Sequence, residues 1–179
     1  MRSMMFLLAV LWVASTGNLL AGGGGGQGLT LLPDRPVAPA FDLAGLDGKR
    51  IALKDFRGKP VIVNFWATWC PPCRAEMPSI QRAWEAVKDD GIAVIAVNVG
   101  EDAEIVAQFK AEYPLEFPLA MDKDFSAVQS WPVKGLPTTF VLDPEGRLAY
   151  EATGSREWDD PKLLDLVRAL KSDGQSAGH

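Results

Sequence analysis

The chain is poor in the residues that metal sites and basic interfaces require. Among its 179 residues there are two cysteines and one histidine, and that histidine is the terminal His179. A structural zinc site takes four nitrogen or sulfur ligands, so this inventory excludes one. A copper-site assembly module, the non-enzymatic alternative for this chain, needs cysteine together with a structured histidine or methionine, and a histidine in the tail is a poor ligand for it. Basic charge is also in deficit. Eighteen Lys and Arg face twenty-three Asp and Glu, for a net charge of −5. Nucleic acid is therefore not an expected partner, because it calls for a basic patch. No segment of the chain repeats another.

Both cysteines fall in one run, Trp69-Cys70-Pro71-Pro72-Cys73. Two residues of spacing let the sulfurs meet across the first turn of a helix. The run before it, Val61 to Trp66, reads as a buried strand, and the run after it reads as a helix. At such a helix start the unpaired N–H groups and the helix dipole favour thiolate over thiol. A purely structural disulfide across so short a loop gains little from cross-linking. The pair therefore reads as a dithiol that closes to a disulfide and reopens, with no metal or organic cofactor. Cys70 stands at the helix end, so it is expected to be the more exposed thiol and the nucleophile. Cys73 lies one turn in and is expected to resolve a mixed disulfide. Pro71 and Pro72 stiffen the link without adding charge. Glu76 follows Cys73 by three positions and so shares its helical face.

The remaining pattern frames one domain. Residues 1–21 carry a basic start and an apolar stretch from Met4 to Ala14, the layout of a signal peptide or an uncleaved N-terminal anchor. Either one takes the domain out of the cytoplasm. Residues 22–39, with a glycine run and three prolines, read as a flexible linker. The folded domain is expected over 40–171, and 172–179 as a disordered tail. Within the domain, two short runs around Asp47-Gly48 predict a hairpin. Helices are expected over Pro72 to Asp89, Glu101 to Glu112 and from Pro161 onward, with Ile105, Val106 and Phe109 inward on the second. Strands are expected at Ile92 to Val99, Phe117 to Met121, Thr138 to Leu142 and Arg147 to Ala152. Strands alternating with helices, then a closing hairpin, imply an α/β fold: a central mixed β-sheet flanked by helices.

The segment Asn64-Phe65-Trp66-Ala67-Thr68-Trp69-Cys70-Pro71-Pro72-Cys73-Arg74-Ala75-Glu76-Met77-Pro78 resembles the active-site segment of the thioredoxin superfamily. More narrowly it is similar to the TlpA/ResA/CcmG-like thioredoxins. Phe41 to Lys59 resembles that group's added N-terminal β-hairpin, and Pro114 to Val133 its central insertion. Gly135-Leu136-Pro137-Thr138-Thr139-Phe140 resembles its cis-proline segment. The resemblance implies a thioredoxin fold over about residues 39–171. It also implies a cis Leu136–Pro137 bond packed against Cys70, where a cis bond is tolerated because proline follows. There the backbone is left free to pair with an extended substrate segment. Trp69 is expected to lie over the sulfur as an apolar contact surface, and Trp66 to belong to the core. Ordinary thioredoxins carry a buried Asp where Asn64 stands, and the resemblance makes Glu76 the acid that replaces it.

The activity implied is that of an extracytoplasmic thiol–disulfide oxidoreductase. The favoured direction is reduction of disulfides in exported proteins, such as apocytochrome c or copper-site cysteines. Its partners would be protein disulfides and an upstream electron donor, a membrane thiol reductase. An oxidase or isomerase of the same fold is the alternative enzyme. A peroxidase of related fold fits less well, because its reactive cysteine would lack a partner three positions on.

Overall fold

The computed structural model describes residues 28–173. The expected leader, the glycine run and the end of the tail lie outside the described residues. In chain order the strands are β1 (Thr30–Leu31), β2 (Asp42–Gly45), β3 (Arg50–Ala52), β4 (Val61–Trp66), β5 (Ala93–Val99), β6 (Leu119–Asp122), β7 (Thr138–Leu142) and β8 (Leu148–Thr153). The helices are α1 (Pro71–Val87), α2 (Ala103–Glu112), α3 (Ser126–Ser130) and α4 (Pro161–Asp173). All eight strands join one sheet in the order β1-β8-β7-β4-β5-β6-β2-β3. The pairs β4–β5 and β5–β6 are parallel and the others antiparallel, so the sheet is mixed as expected.

β4 is the central strand, and all six of its residues are buried. Side chains alternate across a strand, which divides them between two cores. Ile62 and Trp66 pack with Met77 and Ile80 of α1, Val106 and Phe109 of α2, and Leu163 and Val167 of α4. Val61, Val63 and Phe65 pack on the other face with Phe41, Ala127, Trp131 and Phe140. Asn64 shares its parity with Ile62 and Trp66, which turns the one polar side chain of β4 toward α1. The two additions to the fold pair with each other. β2 of the hairpin runs antiparallel to β6 of the insertion, with Ala44 opposite Met121.

Three expectations need correction. The linker over 22–39 is structured in its described part. Thr30 and Leu31 pair with Glu151 and Tyr150, Ala38 is buried, and Val37 bridges Arg147. This segment covers the edge of β8, whose backbone groups would otherwise lack partners. A two-residue strand is too short to show alternation, so its sequence reads as irregular. At the other end α4 runs to Asp173, because Leu170 is still buried in its last turns and Lys171 reaches the Asp90 carbonyl. Ile105 is 46% exposed, while Val106 and Phe109 are buried. The buried stripe of so short a helix follows positions three apart and is too narrow to include it.

Asp122 organises the insertion. It is fully buried, and its carboxylate accepts from the backbone N–H groups of Ala127 and Val128 and from Ser126 Oγ. It thereby satisfies α3 donors that the αL residue Phe125, at the cap position, leaves open. Asp122→Ala should cost about 1–3 kcal/mol, since it strands buried donors. Urea unfolding measures this, and an unchanged midpoint would remove Asp122 from that role.

Candidate redox site

β4 ends at Trp66, and the chain crosses Ala67, Thr68 and Trp69 before α1 begins. Cys70 is the N-cap of α1, and its Sγ accepts from the Cys73 N–H at 3.3 Å. Pro71 and Pro72 occupy the first helical positions, where proline is tolerated because those N–H groups have no helical partner. They also remove two donors, so the first N–H to reach Cys70 Sγ is that of Cys73. The two cysteines are joined as a disulfide. Both are buried in this closed form, Cys70 at 4% exposure and Cys73 at 0%.

The loop before Cys70 is held from outside α1. The buried Glu101 carboxylate accepts from Thr68 N at 2.7 Å, Thr68 Oγ1 at 2.5 Å and Asn98 Nδ2 at 2.7 Å. Trp69 is 67% exposed beside it, while Trp66 is fully buried. The Leu136–Pro137 bond is cis. Thr138 pairs with Phe65, so Pro137 stands at the end of the sheet where β4 hands over to the cysteine loop. Leu136 packs against the cluster that contains both cysteines.

Glu76 is not a solvated helix residue. It is 1% exposed. Its Oε1 accepts from Asn64 Nδ2 at 2.8 Å, and its Oε2 from Arg156 N at 3.2 Å and Trp158 Nε1 at 3.1 Å. Burial pushes its pKa from 4.5 up to about 7, against the opposing pull of these donors. Asn64 Nδ2 also donates to Thr139 Oγ1 at 2.8 Å, while Asn64 Oδ1 is buried with no donor among the described residues. Glu76 is legible in the sequence, whereas Arg156, Thr139 and Glu101 carry no site signal there. For Trp158 one signal exists, a single large apolar residue within the polar run Ser155 to Asp160.

A paired dithiol at a helix start, with a buried acid one turn further along, is equipped for disulfide exchange. Comparison with known proteins agrees. Residues 36–151 match the model of the AhpC/TSA family. The chain belongs to that family. It is 42% identical over 141 residues to the thiol-disulfide oxidoreductase ResA of Bacillus subtilis, an alignment covering 79% of this chain and 77% of that one. Among solved structures it is similar to a secreted thiol-disulfide isomerase of Corynebacterium glutamicum, with TM-score 0.66 and 30% identity over 75% of this chain and 85% of that one. It is also similar to a thioredoxin-family thiol:disulfide interchange protein of Chlorobium tepidum, with TM-score 0.67 and 28% identity over 75% and 97%. The ResA-like resemblance and the thioredoxin fold expected from the motifs therefore hold, and the protein is a thiol–disulfide oxidoreductase.

The Glu76 carboxyl has a consequence for stability. Its folded pKa, about 7, lies above the ordinary 4.5. The folded state therefore keeps a proton that the unfolded chain releases, and stability falls as pH rises from 4.5 to 7. Glu76→Gln removes that dependence, and turning the Asn64 amide over would offer its Oδ1 to the new amide. Relative to the variant, the native protein should lose about 2–3 kcal/mol across this window. Denaturant unfolding at pH 4.5 and pH 8 tests it, and a constant difference between the two proteins would contradict the shifted pKa.

Proposed function

We propose that the protein is an exported thiol–disulfide reductase acting on disulfides of other exported proteins. The observation that carries this reading is the buried Glu76 carboxyl on the helical face of Cys73. The Cys70 thiolate attacks a substrate disulfide, forms a mixed disulfide and releases one substrate thiolate. The Cys73 thiol passes its proton to Glu76 and attacks Cys70 Sγ. That closes the Cys70–Cys73 disulfide and releases the second substrate thiolate. Two electrons have moved from protein to substrate, and the released thiolates take up protons from solvent or from Glu76. The Cys70–Cys73 disulfide is then the whole redox centre, with no other cofactor. A dithiol donor, of the class of membrane thiol reductases, returns two electrons to it.

Trp69, with Pro71 and Pro72 beside it, offers the contact surface for substrate. The exposed indole and the partly buried Leu136 suit an extended apolar segment, with backbone pairing at Leu136 and Pro137. The resemblance to the ResA-like group supports apocytochrome c cysteines awaiting haem, or copper-site cysteines, as substrates. The apolar N-terminal stretch and the secreted relative in Corynebacterium support export, with that stretch as a signal peptide or tether.

The roles are separable by experiment. Cys73→Ser should accumulate a mixed disulfide through Cys70 with a Cys-x-x-Cys peptide disulfide, whereas Cys70→Ser should accumulate none. Glu76→Gln should slow resolution by about 100-fold at neutral pH, the range expected for a positioned proton acceptor. Trapping through Cys73 would reverse the thiol assignment, and an unslowed Glu76→Gln protein would remove the acid from the mechanism.

A further inference from the structure

The connection from β8 to α4 folds back onto α1 beside Glu76. Four contacts seat it. Ser79 Oγ donates to the Arg156 carbonyl at 3.1 Å, and Trp158 N donates to Ser79 Oγ at 3.0 Å. On the outer side Arg82 pairs with Asp159 at 2.6 Å and Glu157 at 3.1 Å. The Trp158 indole goes inward, 1% exposed, into the cluster that holds Cys73 and Met77. Packing alone does not require its N–H to meet a carboxylate.

The donors around Glu76 are unequally shared. Among the described residues Oε2 receives two N–H groups, from Arg156 and Trp158, while Oε1 receives Asn64 Nδ2 alone. An oxygen with two donors in place has no lone pair left for a proton. Oε1 has room, because its one donor is an amide that can turn over. Asn64 Oδ1 is buried without a donor among the described residues, so the turned amide would accept from a protonated Oε1. Among the described residues the charged group that acts on Glu76 is the Arg156 guanidinium, while β4 presents neutral Asn64, which in turn donates to neutral Thr139 of β7, and Cys73 lies one turn before Glu76 on α1. The guanidinium is itself occupied by the Gly28, Thr153 and Gly154 carbonyls.

We propose that Trp158 is a positioning residue for the exchange reaction: its indole N–H, with the Arg156 backbone N–H, fixes Oε2 of Glu76 and leaves Oε1 as the oxygen that trades its proton with Cys73. This rests on the role given to Glu76 above. The indole favours the ionised carboxylate, so it sets the pH at which Glu76 is ready to accept.

The test uses Trp158→Phe, with site-specific benzothienylalanine at position 158 as a second variant that keeps the ring volume and lacks the N–H. In the oxidised protein the infrared band of protonated Glu76 should persist about one pH unit higher in both variants, the effect of losing one hydrogen bond to a charged group. The pH profile of mixed-disulfide resolution should move up with it. Arg82→Ala loosens the same connection from outside and should lower Tm without moving either midpoint. Unmoved midpoints in folded Trp158 variants, or an equal shift in Arg82→Ala, would overturn the inference. A Glu76→Gln protein that resolves at the native rate contradicts the parent reading instead, whatever Trp158 does.

Discussion

One carboxyl group lies between α1, β4 and the connection that leads into α4, with almost none of its surface in water. Burying a carboxylate is costly unless hydrogen bonds replace its hydration. Three donors surround Glu76, and they come from segments far apart in the chain: Asn64 on the central strand, and Arg156 and Trp158 beyond the last strand. They do not fully offset the burial, and the raised pKa is the remainder. A group left near neutrality in this way can hold or release a proton at working pH, which is what a proton acceptor for a thiol needs.

The rest of the fold sets the sulfurs at the start of the helix that carries that group. β4 is covered on both faces, so its end is rigid and the loop from Ala67 to Trp69 starts from a fixed point. Glu101 holds Thr68 in that loop through backbone and hydroxyl together. α1 then begins just after its N-cap Cys70, with two prolines that leave the Cys73 N–H as the first donor to the Cys70 sulfur. The helix runs on through Pro78 without interruption, so Cys73 and Glu76 keep their common face. Trp69, Pro71 and Pro72 are left exposed around the buried sulfurs.

Much of this was legible in the sequence because it is local. The Cys-x-x-Cys run, the buried strand before it and the helix after it each carry their signal within a few residues. The Asp47-Gly48 hairpin was equally readable from a short motif, and the cis Leu136–Pro137 bond from the family resemblance of its segment. The Glu76 surroundings were not, because Arg156 and Trp158 meet it across about eighty positions. Thr30–Leu31 was missed for a different reason: its place depends on an exposed edge of β8 that only the assembled sheet creates. Glu101 looked like an ordinary acid at a helix start, and only the returning loop shows that it is an acceptor for Thr68.

The account depends most on the ionisation of Glu76 in the folded protein. Carbon-13 NMR of its side-chain carboxyl, followed against pH in the oxidised protein, reads this directly. A midpoint near pH 7 is the predicted result, set by burial that outweighs the three donors. A midpoint at the ordinary 4.5 would contradict it, because a carboxylate that never holds a proton near neutral pH has no tuned part in the exchange of Cys70 and Cys73.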